Sequence, residues 1–270
     1  MAIDPWKGTD TIANIEGVYG TKFNDTIIGT AGDETFQGVA GVDVINMGGG
    51  HDRLVFWNVG NNNDVGHGIT FDFNLANNVV DDGYGNTENA LGVEEIVGSR
   101  FNDRLTGNGA KNWLFGNDGN DTIGGGAGDD NVGGDWGSDR ILGGGGHDHV
   151  YGGGGNDTLT GNGGADEFNF DWDLADTGVD KITDFAAGVD AIWIGSWWGG
   201  GIVNDFLVAN QFRSGAGMTT ANSATQRLIY NTSTGDLFFD ADGAGGAAAV
   251  KFATLSNHAA LTFDDINVLP

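Results

Sequence analysis

One large apolar residue returns at every ninth position from residue 98 to residue 169: Leu105, Leu114, Ile123, Val132, Ile141, Val150, Leu159 and Phe168. The six residues that open each unit are rich in Gly, Asn and Asp. Three residues with an apolar one in the middle make a very short, half-buried strand. Six Gly-rich polar residues make a turn, where Gly allows positive φ and close backbone approach. Two units then form one rung, with a strand on each side and a turn at each end. Rungs stack at the strand spacing of about 4.8 Å. No unit can bury its own apolar side chain, so the pattern predicts an all-β stack with a thin core that is stable only as an array.

The units open at Gly98, Gly107, Gly116, Gly125, Gly134, Gly143, Gly152 and Gly161, and the clearest, 152–160, reads GGGGNDTLT. Residues 89–97 keep the register through Glu94 and Ile96. A shorter array opens at Gly20, Gly29, Gly38 and Met47, with Ile27, Phe36, Ile45 and Leu54 in the apolar place. The two lead-ins resemble each other (14–29 and 92–107), but their offset of 78 is not a multiple of nine. Residues 1–169 therefore read as two arrays, about 13–55 and 89–169, around a non-repeat insertion at about 56–88. Within it Ile69, Phe71, Phe73 and Leu75 alternate with polar residues, which predicts one strand over 68–80 that rejoins the stack near Leu91, with a turn at 81–86.

From 170 to 270 the period is lost. Segments 180–185 and 190–194 predict strands still on the stack, 227–231 and 236–240 a hairpin, and 250–255 and 261–269 further strands. Short helices fit only 204–212 and 256–260. The region reads as a β-rich cap, because the last rung of a stack otherwise exposes an apolar edge.

Every unit but that of Asn112 carries an acid two residues before its apolar residue. In the long array these sixth positions are Asp103, Asn112, Asp121, Asp130, Asp139, Asp148, Asp157 and Asp166; in the short one they are Asp25, Glu34, Asp43 and Asp52. Stacking places Asp103, Asp121, Asp139 and Asp157 in one column and Asn112, Asp130, Asp148 and Asp166 in another. Like charges at that spacing repel. Divalent cations between neighbouring turns reverse the sign, and carboxylates with turn carbonyls form the oxygen-only donor set that suits Ca²⁺. Loops two units apart pair as Asp103/Asp121, Asp121/Asp139, Asp139/Asp157, Asn112/Asp130, Asp130/Asp148, Asp148/Asp166, Asp25/Asp43 and Glu34/Asp52. The pairs with Asn112 and Glu34 are the weaker ones, and about five to eight ions are expected.

Composition agrees. Of 38 acids 32 are Asp and 6 Glu, against 11 Lys and Arg, for a formal charge of -27. Solubility alone does not require so strong a preference for Asp. The charge argues against nucleic acid and anionic membrane as partners. There is no Cys, and no apolar stretch reaches membrane-spanning length. The first residues lack a basic segment followed by an apolar run, so no cleaved export signal is expected there.

The unit G-G-x-G-x-D-x-U-x, as in 152–160, resembles the RTX (haemolysin-type) calcium-binding nonapeptide repeat. That resemblance implies a parallel β-roll, a right-handed two-sheet solenoid with Ca²⁺ between its turns. The turn glycines are then Gly116, Gly119, Gly125, Gly128, Gly134, Gly137, Gly143, Gly146, Gly152 and Gly155. It also implies a bacterial secreted protein exported by type I secretion machinery through a C-terminal signal, which the ending Asp264, Asp265, Ile266, Val268, Leu269 fits.

Other chemistry is sparse. Asp240 and Asp242 in FFDADGAGG share the Asp-x-Asp-Gly of calcium loops without EF-hand spacing, so they are weaker Ca²⁺ candidates beside a plain turn. His147 and His149 flank Asp148, already assigned to the column. The motifs of zinc proteases, serine hydrolases and P-loop enzymes are absent, so no catalysis is expected from this chain. Trp197 and Trp198, in a Gly-rich loop, form a candidate surface for a glycan or a cell surface. Three readings follow: a secreted calcium-binding roll without catalysis, the export and folding module of a larger secreted protease, lipase or epimerase, or an adhesin, surface-layer or polysaccharide-binding protein.

Overall fold

The computed structural model describes residues 16–37, 40–57, 66–75, 80–199, 202 and 207–269. Residues 13–15 and Gly38 of the short array, parts of the insertion, and the start of the expected helix at 204–212 lie outside them.

Two sheets face each other across the apolar column. One is parallel throughout and has ten strands, in the order Gly17–Tyr19, Thr35–Gln37, Arg53–Val55, Glu95–Val97, Trp113–Phe115, Asn131–Gly133, His149–Tyr151, Glu167–Phe170, Ala191–Gly195 and Ile266–Leu269. The other has fourteen strands, among them Arg104–Thr106, Thr122–Ala127, Arg140–Gly145 and Thr158–Gly163. The register steps by two units: Leu105 pairs with Ile123, Ile141 with Leu159, Leu114 with Val132, and Val150 with Phe168. Every eighth-position side chain from Phe36 onward is buried, and only Ile27 at the open end is half-buried. Burying each of these aliphatic side chains contributes about 1.5–3 kcal/mol, but only once its neighbours above and below are present.

The insertion enters the stack differently from the single strand expected over 68–80. Its strand is only Thr70–Asp72, parallel to Arg104–Thr106. The Asn74 N–H donates to Asp72 Oδ1 at 2.8 Å, a local turn that ends the strand and leaves Leu75 exposed, although Ile69, Phe71 and Phe73 are buried. Val80–Asp81 and Thr87–Leu91 follow as antiparallel neighbours, and Thr87–Leu91 lies parallel to Val44–Asn46. The insertion thus supplies three strands that join the two arrays in one sheet.

Beyond residue 169 the stack continues. Asp180–Ile182 extends the fourteen-stranded sheet from Thr158–Gly163, and Val250–Leu255 pairs parallel with it. Asp236–Phe239 is antiparallel to both Val250–Leu255 and Leu228–Asn231, as the expected hairpin requires. Tyr230, Phe239 and Phe252 fill this end. The described residues include three single-turn 3-10 helices, Ser196–Trp198, Ala209–Gln211 and Phe263–Asp265, and no helix at 256–260, where Asn257 is tied through its Nδ2 to the Phe185 carbonyl. Among the described residues no helix is long and apolar enough to cross a membrane.

Candidate metal sites in the turns

The rung register brings each sixth-position residue over the one two units earlier. The contact has one form throughout: the backbone N–H of the earlier residue donates to Oδ1 of the later carboxylate. Along one edge this links Asp103 to Asp121 (2.7 Å), Asp121 to Asp139 (2.7 Å) and Asp139 to Asp157 (2.8 Å). Along the other it links Asn112 to Asp130 (2.8 Å), Asp130 to Asp148 (2.9 Å) and Asp148 to Asp166 (3.1 Å). In the short array it links Asp25 to Asp43 and Glu34 to Asp52, each at 2.8 Å. All eight pairs expected from spacing are therefore neighbours.

The second carboxylate oxygen separates two kinds of turn. In the opening turns of each array the second residue is Thr21, Thr30, Ser99 or Asn108, and its N–H bonds back to the sixth-position side chain. Thr21 N–H reaches Asp25 Oδ2 at 2.7 Å, Thr30 N–H reaches Glu34 Oε2 at 3.2 Å, Ser99 N–H reaches Asp103 Oδ2 at 2.6 Å, and Asn108 N–H reaches Asn112 Oδ1 at 2.9 Å. These turns satisfy themselves. In the later turns the second residue is Gly48, Asn117, Gly126, Asp135, Gly144, Gly153 or Asn162, all at positive φ. Its N–H no longer closes on the carboxylate. Oδ2 of Asp52, Asp121, Asp130, Asp139, Asp148, Asp157 and Asp166 is then buried without a hydrogen-bond partner, as is Oδ2 of Asp43. Gly adopts the left-handed conformation without cost, and Asn and Asp adopt it more readily than other residues do.

An unsatisfied buried carboxylate oxygen costs several kcal/mol, and a column of them costs more. The acids respond accordingly. Burial pushes Asp121 up to about 8 and Asp139 up to about 7, with neighbouring carboxylates adding to it. Burial likewise raises Asp52, Asp130 and Asp166 to about 6. Asp103, held by Ser99, is still raised to about 6 by its burial.

Glycine shapes the same cradle. A Cβ on Gly134 would lie 2.1 Å from Asp139 Oδ2 and 2.7 Å from the Gly152 carbonyl oxygen, so two oxygens close on the space that glycine leaves. The first glycines of the neighbouring turns, Gly116, Gly125 and Gly143, repeat this arrangement, and at Gly152 the second oxygen is Oδ2 of Asp180 in place of a carbonyl. The fourth glycines, Gly119, Gly128, Gly137, Gly146 and Gly155, all have positive φ and stack backbone on backbone. Some turn carbonyls are engaged by the next turn, as where Gly154 N–H donates to the Asp135 carbonyl at 2.7 Å. Among the described residues no three acidic or His side chains close on one point. A cation here needs backbone carbonyls to complete its shell, and the donor set of paired Asp oxygens with glycine carbonyls fits a hard ion.

Where the spacing changes, sequence reasoning missed Asp180 and Asp190 and placed Glu94 in register without pairing it. Asp180 accepts the Asp157 N–H at 2.9 Å, Asp190 the Asp166 N–H at 3.0 Å, and Glu94 the Asp52 N–H at 2.9 Å. Their shared signal is an acid two residues before a core aliphatic: Asp180 with Ile182, Asp190 with Ile192, Glu94 with Ile96. Asp240 is buried with Oδ1 lacking a partner, whereas Asp242 is exposed and its Oδ2 accepts the Gly246 and Ala247 N–H groups. His147 and His149 both turn to Glu167 rather than to Asp148.

The two Trp of the candidate surface separate. Trp197 is exposed, but Trp198 is buried against Phe170, Phe239 and Phe252, and its Nε1 donates to the Trp172 carbonyl at 2.7 Å. Trp198 is a core residue of the C-terminal region, because its ring covers the aromatic end of the stack. A paired Trp surface does not exist here.

The fold and these turns define a two-sheet β-solenoid whose edges are lined with carboxylates and glycines. Residues 19–54, 94–132 and 133–168 match the family model described as RTX calcium-binding nonapeptide repeat (4 copies). That repeat family implies calcium binding through the repeat turns. A search of curated proteins finds no match. Among solved structures, the chain is similar to the AlgE6R3 subunit of the mannuronan C5-epimerase of Azotobacter vinelandii, at 18% identity over 98% of this chain and 85% of that one, with a TM-score of 0.25. It is also similar to the extracellular lipase LipA of Serratia marcescens, at 15% identity over 96% of this chain and 41% of that one, with the same TM-score. At that TM-score neither likeness bears on what this chain does.

Proposed function

We propose that the chain is a secreted calcium-binding protein whose β-roll folds on taking up about five to eight Ca²⁺ ions after type I export, with no catalytic activity of its own. The observation that carries this reading is the series of buried Oδ2 atoms without partners at Asp43, Asp52, Asp121, Asp130, Asp139, Asp148, Asp157 and Asp166. These carboxylates, with the glycine carbonyls beside them, hold the ions; the self-satisfied turns of Asp25, Glu34, Asp103 and Asn112 contribute less. Bound calcium supplies positive charge between stacked acids. The protein side of the mechanism is repulsion: with few cationic side chains to offset 38 acids, the columns oppose stacking until their charge is neutralised. Where calcium is scarce the chain is then largely unfolded, which suits passage through an export channel. Where it is plentiful, an ion that binds only the folded form stabilises it by about 2.7 kcal/mol at a hundredfold excess over its Kd.

The test is a calcium titration of chelator-treated protein at pH 8, followed by circular dichroism and ion counting. A cooperative coil-to-β transition with several ions bound is expected. A spectrum already rich in β structure in chelator, and indifferent to calcium, overturns the reading.

A further inference from the structure

At the seam between the arrays, the first column passes into the insertion. Asp43 there has no nonapeptide turn two units on. The parallel pairing of Val44 with Asn89 places Glu88 beside Asp43 instead. Glu88 is almost completely buried, no N–H or hydroxyl donates to its Oε1 or Oε2, and its carboxyl lies within hydrogen-bond reach of that of Asp43. Asp43 is equally buried; its Oδ1 accepts the Asp25 N–H, and its Oδ2 has no partner. Asp82, also buried, differs. Its Oδ1 accepts the N–H groups of Tyr84 and Asn86 and its Oδ2 accepts the Asn86 side-chain amide, so it closes the 81–86 turn without needing a ligand.

A glutamate is an unusual choice for such a place. An apolar residue would pack there without cost, and a buried carboxylate lacking partners is among the most destabilising groups a sheet can carry. Three carboxylate oxygens, one from Asp43 and two from Glu88, are left over where two strands of different origin meet. A glutamate can ligate a cation through both of its oxygens.

We propose that Asp43 and Glu88 hold a further Ca²⁺ ion that fastens the insertion to the short array. This site rests on the calcium reading above but uses no first-position glycine and no nonapeptide turn after Asp43. It makes the joining of the arrays depend on the same ion as the arrays themselves.

The experiment counts calcium ions on the full chain by native mass spectrometry, for the wild type and for Glu88→Gln, with circular dichroism to confirm that the array is folded. One ion fewer on Glu88→Gln, with the array intact, is the expected result. An unchanged count overturns the seam site, makes Glu88 a neutral buried acid that Gln imitates, and leaves the turn sites untouched. A wild type that binds no calcium overturns the proposed function and this site together. Should Glu88→Gln not fold, Glu88→Asp assigns the wild-type resonance by its loss from the six glutamate carboxyl carbon signals of ¹³C-labelled protein. In the calcium-saturated, folded protein at pH 7, an ionised-carboxylate shift for that signal supports the site, and a protonated-acid shift overturns it.

Discussion

Asp139 in the array and Asp236 in the C-terminal region are both acids at the edge of a short strand, yet their surroundings are opposite. Asp139 is buried, one oxygen has no partner, and burial drives its carboxyl up to about 7. For Asp236 burial also works against the charge, but Lys251 at 2.5 Å, Thr234 and Thr254 together hold it below the ordinary carboxylate range. One region leaves its charge to be neutralised from solution; the other neutralises it with its own side chains. Stability is therefore conditional in the array and built in at the hairpin.

The comparison breaks most sharply at glycine. Gly134→Ala places a Cβ against Asp139 Oδ2 and the Gly152 carbonyl, and is expected to cost about 3 kcal/mol of stability in calcium, together with the loss of at least one ion. Gly246→Ala in the C-terminal region meets nothing within 4 Å and is expected to stay within about 0.5 kcal/mol of wild type. Denaturant unfolding of both variants in saturating calcium checks the contrast, and equal effects would remove the special role of the turn.

Asp139→Asn tests the sign. Asn imitates the protonated acid, so in chelator the variant is expected to be more stable than wild type by roughly 1–3 kcal/mol, and in calcium less stable. The pH dependence has the same origin. Asp121 and Asp139 have folded pKa values of about 8 and 7, above the ordinary 3.8. Between those limits the folded state binds more protons than the unfolded one, so in chelator stability falls as pH rises from about 4 to 8. Circular dichroism in chelator at pH 5 and at pH 8 reads this directly: more β structure at pH 5 is expected, and the reverse order would contradict buried, unneutralised columns.

The smallest effect belongs to the hairpin. Lys251→Ala is expected to destabilise by about 0.5–1 kcal/mol, by the same amount at every calcium concentration at which the protein folds, as read by denaturant unfolding. A calcium-dependent difference would mean that the two regions are not separable in this way.

Much of this was legible in the chain. The nine-residue period gave the strands, the core residues and the eight neighbouring acid pairs, because in a stack the position within the unit fixes both face and column. What it could not give lies where the period stops. Glu88 enters the column on a strand that the insertion delivers and that lies parallel to Val44–Asn46, and its distance from Asp43 in sequence carries no trace of their contact. Asp180 and Asp190 follow their partners at irregular spacing, so only the acid two places before Ile182 and Ile192 marks them. Trp198 was misread because loop composition reports neither which of two adjacent rings turns inward nor that Phe170, Phe239 and Phe252 await it. The difference between self-satisfied and open turns is written in the second residue, Thr21 and Ser99 against Gly126 and Gly144, but only the backbone shows what that residue does.

The register also sets the order in which the molecule can assemble. Partners within the long array, such as Leu105 and Ile123, are 18 residues apart, so each new rung closes a short loop onto one already made. The pairing of Asp180 with Ala253 closes 73 residues, at an extra entropic cost of about 1.2 kcal/mol for the longer loop. Parallel sheets usually form slowly because their contacts are distant in sequence. Here a folding front can advance along the chain rung by rung and leave the distant closures for last, so that most of the roll can stand before the C-terminal strands have docked.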